Sequence, residues 1–166
     1  MTAAQPSAVG RRAARGIVID DEGRLILIKR TKPGQDPYWT TPGGGIEDSD
    51  ATVEDALRRE LAEELGATAD GYQQVFLTSD PTDAGVAIQY FFVARLTSLH
   101  LAERYGPELA SPERGAYDLY YVSLRDDSLN AIDLKPAALK HFVLANRDAL
   151  LVEAGFHPRN LLGDYP

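Results

Sequence analysis

Three glutamates, Glu60, Glu63 and Glu64, fall at i, i+3 and i+4 in the run Arg58-Arg59-Glu60-Leu61-Ala62-Glu63-Glu64-Leu65-Gly66. On a helix, a rotation of about 100° per residue brings those side chains to one side. Val53, Leu57 and Leu61 supply the apolar stripe of the same stretch, and Glu60 and Glu64 stand at its margin rather than opposite it. A solvated acidic face would point away from the stripe. Like charges at i, i+4 cost an exposed helix about 0.2–0.5 kcal/mol, and partial burial magnifies the repulsion. A bound cation would remove that cost. Mg²⁺ prefers carboxylate oxygens and completes its shell with water and substrate phosphates, so the triplet has the chemistry of a divalent-ion site serving a phosphate-bearing molecule. Taken alone it also suits an acidic helix paired with Arg58 and Arg59, and its surroundings must decide.

Upstream lies Pro42-Gly43-Gly44-Gly45. Consecutive glycines relax the limits on φ and ψ and let a backbone approach a ligand closely, which makes Gly43, Gly44 and Gly45 candidate substrate contacts. Lys29, Arg30 and Lys32 come just before this loop, and Arg30 is a candidate partner for a substrate phosphate. Trp39 reads as a packing residue. Glu113 and Asp118 are acids near a late strand, and His100, His141 and His157 share no metal-binding spacing.

The elements that must carry these residues follow from local signals. Arg15–Ile19 and Arg24–Lys29 are aliphatic runs joined by Asp20-Asp21-Glu22-Gly23, a hairpin signature. Tyr38–Thr41 is a short extended piece ending at the glycines. Val53–Leu65 has helical period, with Thr52 as N-cap and Gly66 as C-terminal stop. Strands are expected at Tyr72–Thr78, Val86–Leu96 and Tyr117–Leu124, and one more helix over Ala137–Leu151 after Pro136. Strands mixed irregularly with helices favour an α/β fold with a mixed sheet between helices.

Together, Pro42-Gly43-Gly44-Gly45-Ile46-Glu47, Glu54, Ala56 and Arg59-Glu60-Leu61-x-Glu63-Glu64-x-Gly66-Ala67 resemble the Nudix box of the Nudix hydrolase family, G-x5-E-x7-R-E-U-x-E-E-x-G-U with U aliphatic. The helical half matches at every specified position. The loop half departs: skipping five residues after Gly44 reaches Asp50, not Glu, and eight residues rather than seven separate it from Arg59. Asp50, Glu47 or Asp48 could stand for the loop glutamate. The resemblance implies an α/β/α sandwich, metal ligation by Glu60, Glu63 and Glu64 with Asp50 as a further candidate ligand, and an Arg59 salt bridge that holds a glutamate in place. It further implies Mg²⁺ or Mn²⁺ as cofactor and attack by water on a phosphoanhydride bond of a nucleoside diphosphate derivative or related small molecule. A catalytically inactive Nudix-like ligand-binding or regulatory domain is the alternative, and the intact Arg59, Glu60, Glu63 and Glu64 speak against it. An isomerase on the same fold would be expected to use a cysteine, and there is none.

Composition sets the outer limits. With 166 residues, 44% apolar and 25% charged, the chain suits one core-forming domain. We expect residues 1–14 as a flexible lead-in, 15–155 as the domain and 156–166 as a tail. No apolar run approaches the roughly 20 residues of a membrane span, and a net charge of -8 disfavours a nucleic-acid polymer as partner. A chain with no cysteine suits a reducing cytoplasm. Nothing in the sequence determines the oligomeric state, and a homodimer stays open.

Overall fold

The computed structural model of the protein describes residues 8–106 and 112–157. The first hairpin forms where the turn chemistry puts it: β1 (Val9–Ile19) meets β2 (Arg24–Thr31) around Asp20, which is buried at 5% exposure. The Asp20 carboxylate accepts hydrogen bonds from the Glu22 and Arg24 backbone N–H groups at 3.0 and 2.9 Å and from the Arg24 Nε at 2.8 Å. That closes the turn with one side chain.

Beyond the turn the two strands separate. Ile19 opposite Leu25 is their one ladder pair. On the edge where β2 leaves it, β1 takes up a short strand, β4 (Gly43–Gly45), with Ala13, Ala14 and Arg15 opposite Gly45, Gly44 and Gly43. On its other edge β1 runs parallel to β6 (Gly85–Leu99), which pairs antiparallel with β5 (Ala67–Thr82). Strand β2 lies between β3 (Tyr38–Thr40) and β7 (Ala116–Ser123), and β3 is followed outward by the two-residue β8 (Leu134–Lys135). The result is one mixed eight-stranded sheet that divides into two wings.

Both faces of the sheet are covered, and its central strands are apolar without a break over Ile17–Ile19, Leu25–Ile28 and Phe91–Ala94. Ala14, Val18, Ile26, Ile28, Phe92 and Ala94 face α1 (Val53–Leu65) and pack on its Leu57, Leu61 and Leu65. The alternate residues Ile17, Ile19, Leu25, Leu27, Phe91 and Val93 face α2 (Ala137–Ala145) and α3 (Arg147–Glu153), meeting Leu139, Val143, Leu150 and Leu151. Successive strand residues point to opposite faces, so an unbroken apolar run is what a doubly covered sheet requires. The expected α/β/α layering is present.

Several boundaries differ from the expectation. The first strand begins at Val9, not Arg15, so Val9–Ala14 of the expected lead-in belong to β1, with Ala13 and Ala14 buried. Residues 1–7 lie outside the described residues, as do 158–166 of the expected tail, but Phe156 is in the core. The three glycines form a strand rather than an open loop. The long C-terminal helix is two helices, divided at Asn146, whose φ of -125° leaves the helical region and whose Nδ2 donates to the Phe142 carbonyl at 2.8 Å. Trp39 does pack, edge-on to Tyr120 with ring centroids 5.5 Å apart.

Candidate active site

Helix α1 presents the acids because its ends are fixed locally. Thr52 Oγ1 accepts from the Asp55 N–H at 3.0 Å, and Gly66, at φ 58°, terminates the helix with its N–H on the Ala62 and Leu61 carbonyls. Between these ends Leu57 and Leu61 are wholly buried against the sheet, and rotation about the axis then sets Glu60 under the glycine strand at 6% exposure. Gly43 and Gly44 must be glycine for this. A Cβ on Gly43 would lie 2.0 Å from the Ala14 carbonyl oxygen, and one on Gly44 would lie 2.6 Å from Glu60 Oε1. Backbone and carboxylate therefore occupy space that any side chain would fill.

Arg59 organises the acids around it. Its Nε and Nη2 donate to the two carboxylate oxygens of Asp50, each at 3.0 Å, in a two-pronged contact. Nη2 also donates to the Gly45 carbonyl at 2.9 Å, and Nη1 to Glu60 Oε1 at 3.0 Å and more weakly to Glu63 at 3.4 Å. Asp50 further accepts the Glu47 N–H at 2.8 Å. The Arg59 hydrogen bonds hold the Asp50 carboxyl below the usual carboxylate range, while the Asp50 contact raises Arg59 further above its ordinary value. Asp50, not Asp48 or Glu47, thus occupies the place beside Arg59. Asp48 is exposed, and Glu47 approaches Arg59 only at 3.6 Å with its side chain 61% exposed. The extra loop residue is absorbed between Glu47 and α1.

A cleft of about 240 Å³ opens where β1 and β2 separate. Glu60 and Glu64 reach it from α1, Gly43–Gly45 form one wall, and Ile28, Arg30 and Tyr117 form the other. Glu63 is not among the lining residues and inclines to Arg59. Glu64 Oε1 accepts the Gly43 N–H at 3.2 Å. Of the residues singled out in sequence, Gly43, Gly44, Gly45, Glu60, Glu64 and Arg30 share this cleft, whereas Glu113 and Asp118 do not. Arg30 does not point freely at it: Nη2 donates to the Arg114 carbonyl at 2.7 Å and the guanidinium stacks on Tyr117 at 3.5 Å from the ring centroid.

Arg11, Arg15 and Arg114 also line the cleft. Sequence reasoning missed them, since single arginines carry no motif. The usable signal was Arg11-x-Ala13-x-Arg15, a period of two that sends all three side chains to one face once the segment is a strand. Arg15 Nη1 donates to the Gly43 carbonyl at 3.0 Å and Nε to Gln89 Oε1 at 3.2 Å. Burial lowers its pKa, against the opposing pull of the Glu64 charge.

Among the described residues no three acidic, histidine or cysteine side chains stand close enough together to form a ready ligand cluster. The donor set nonetheless fits a hard divalent cation: Glu60 and Glu64 offer carboxylate oxygens inside one cleft, beside a glycine strand that leaves them room. Glu63 is one helical turn from Glu60, at the same margin.

A divided mixed sheet with helices on both faces and an acid-bearing helix against a glycine strand define a recognisable class. A family model described as NUDIX domain matches residues 10–123. The chain belongs to the Nudix hydrolase family. An 8-oxo-dGTP diphosphatase of Proteus vulgaris is 39% identical over 54 residues, which are 32% of this chain and 47% of that protein, so the match spans about half of the relative's length. Among solved structures, a NUDIX hydrolase from Nitrosomonas europaea superposes with a TM-score of 0.62 at 14% identity, covering 97% of this chain and 98% of the other. The NUDIX domain of Shewanella oneidensis NrtR, complexed with ADP ribose, gives 0.61 at 15% identity over 86% and 90% of the two chains. The E. coli ORF135 protein gives 0.56 at 26% identity over 84% and 91%.

Proposed function

We propose that this protein is a divalent-metal-dependent pyrophosphohydrolase that cleaves a phosphoanhydride bond in a nucleoside diphosphate derivative or related small molecule. The observation that carries the reading is the cleft itself: two carboxylates, Glu60 and Glu64, face a strand of three glycines in the same space as four arginines, Arg11, Arg15, Arg30 and Arg114. Phosphates need cations and close backbone, and a metal needs hard oxygen donors. This cleft supplies all three.

In this reading Glu60 and Glu64, with Glu63 from the next turn, hold Mg²⁺ or Mn²⁺. When bound, such an ion screens phosphate charge and makes water a stronger nucleophile at neutral pH. The chain's own residues do the rest. Arg15, fixed by the Gly43 carbonyl and Gln89, offers a desolvated positive charge to a phosphate oxygen. Gly43–Gly45 admit the phosphates to within backbone distance. Arg59 is a positioning residue: it ties Glu60 to Asp50 and to the Gly45 carbonyl, so strand and acid keep one spacing. The Proteus vulgaris relative acts, by its name, on a nucleoside triphosphate and the NrtR domain binds ADP ribose, and both ligands carry linked phosphates.

The test is hydrolysis of nucleoside di- and triphosphates, dinucleoside polyphosphates, ADP-ribose and nucleotide sugars with Mg²⁺ or Mn²⁺, with products identified. We expect cleavage between phosphates that stops with EDTA and returns with added metal. Undiminished turnover after EDTA treatment and dialysis would overturn the metal-dependent reading.

A further inference from the structure

Arg59 and Arg15 both stand beside the cleft acids, and their charges are matched differently. Arg59 meets the Asp50 carboxylate with both prongs of its fork, so an acid outside the cleft lining offsets its charge at contact distance. Arg15 is held otherwise. Its Nη1 donates to the Gly43 and Thr41 carbonyls at 3.0 and 3.4 Å and its Nε to Gln89 Oε1 at 3.2 Å, and all three acceptors are neutral. Such bonds fix the place of a guanidinium and leave its charge standing.

That charge faces Glu64 through one shared residue. Arg15 lies opposite Gly43 in the ladder of β1 with β4. The Gly43 N–H donates to Glu64 Oε1 at 3.2 Å, and the Gly43 carbonyl accepts from Arg15 Nη1. Carboxylate and guanidinium thus hold the two polar groups of a single glycine, and both line the same cleft with Glu60. The electrostatics agree: burial lowers the Arg15 pKa, and the Glu64 charge, opposed by Arg11 and joined by Glu60, raises it. From the strand side, Arg15 already does for these carboxylates part of what a cation bound among them would do. In a confined cleft such a charge repels a second cation, and the repulsion doubles when that cation is divalent.

We propose that Arg15 is the resident counter-ion of Glu60 and Glu64, and that it holds divalent-cation affinity down until a phosphate oxygen of the substrate engages its guanidinium. This rests on the metal-dependent reading of the cleft and adds a regulation to it. Metal and phosphate bind better together than either does alone, and the coupling is the same whichever arrives first.

The test is calorimetric titration of Mn²⁺ into wild type, Arg15→Gln and Arg15→Lys at one ionic strength, each alone and with saturating α,β-methylene ADP, after subtraction of a titration into the analogue without protein. Alone, Arg15→Gln should bind Mn²⁺ roughly tenfold tighter than wild type, because one like charge has left a partly desolvated site. Arg15→Lys keeps the charge and should stay within about threefold of wild type. With the analogue bound, wild type and Arg15→Gln should converge, so the analogue tightens Mn²⁺ more in wild type. A purely structural role for Arg15 gives the opposite order, with Mn²⁺ weakened in both variants. Gln89→Glu probes the same charge with Arg15 in place: the new carboxylate pairs with Nε, offsets the guanidinium and should tighten Mn²⁺, which keeps the test open where Arg15→Gln does not fold. Equal or weaker Mn²⁺ binding in Arg15→Gln and Gln89→Glu than in wild type would overturn the inference and leave the metal site standing. If no form binds Mn²⁺ with or without the analogue, the metal-dependent reading fails and the inference fails with it.

Discussion

Arg59 carries more of the site's geometry than any acid around it. Its planar fork meets both oxygens of Asp50 while other hydrogens of the same group reach Gly45 and Glu60. An ammonium is a compact donor and cannot span these directions. We expect Arg59→Lys to keep the charge yet lower kcat by about 10–100-fold, as loss of an outer-shell partner does, and to raise the Mg²⁺ concentration at half-maximal rate. An unchanged metal titration in an active Lys variant would remove the positioning role. Asp50 adds a pH dependence whose sign is fixed. Its folded pKa lies below the unfolded value near about 3.9, so its stabilisation is present above that value and is lost as pH falls through the lower folded one. Asp50→Asn should therefore be less stable than wild type at neutral pH, with the gap closing below about pH 4 in parallel denaturant melts, and it should reduce activity more than Asp48→Asn. A constant gap across that range would show that the carboxylate charge is not what matters. The sequence suggested acids straining against one another for want of a cation. Arg59 and Arg15 stand among them, so the resting site is already partly neutralised.

At the scale of elements, α1 was legible to both its ends from its own residues, whereas the strands were legible as runs but not in their full extent. A helix is specified by neighbours in sequence: the stripe Val53, Leu57 and Leu61, the Thr52 cap and the Gly66 stop all lie within fifteen residues and all are in place. The start of β1 depends on distant partners, since Val9–Ala14 become a strand by pairing with β6 and with the glycines. Arg11, Arg12 and their alanine neighbours look like an unstructured end until that pairing exists. The break at Asn146 was hidden for the opposite reason: the composition on both sides is helical, and one side-chain bond to the Phe142 carbonyl interrupts it. The α1 caps give a ranked prediction. Thr52→Ala loses one capping hydrogen bond and should cost about 1 kcal/mol, a fall in Tm of roughly 2–4 °C. Gly66→Ala should cost more, because the residue sits at φ 58° and its Cβ would come 2.1 Å from the His100 carbonyl oxygen. Thermal melts that rank the two the other way would contradict the capping account.

For the whole molecule, the cleft is a product of topology that no segment contains. Its acids come from α1, its arginines from β1, β2 and the turn before β7, and one wall from the glycine strand. The motif revealed the acids, the glycines and Arg59. It could not reveal Arg11, Arg15 or Arg114, which join the site only when strands far apart in sequence are set side by side. The same layout resembles an opened book. The β1–β2 turn is the spine, the two wings are the covers, and the cleft lies between facing pages. A spine sets the opening angle, and here Asp20 binds it, buried and taking hydrogen bonds from Glu22 in the turn and Arg24 at the start of β2. Asp20 touches nothing in the cleft, yet Asp20→Ala should raise KM, because loosening the binding changes the gap between the covers while leaving every page intact. Kinetics on a variant that is still folded by circular dichroism will decide this. An unaltered KM would mean that the helices pressed against the covers, rather than the spine, fix the gap.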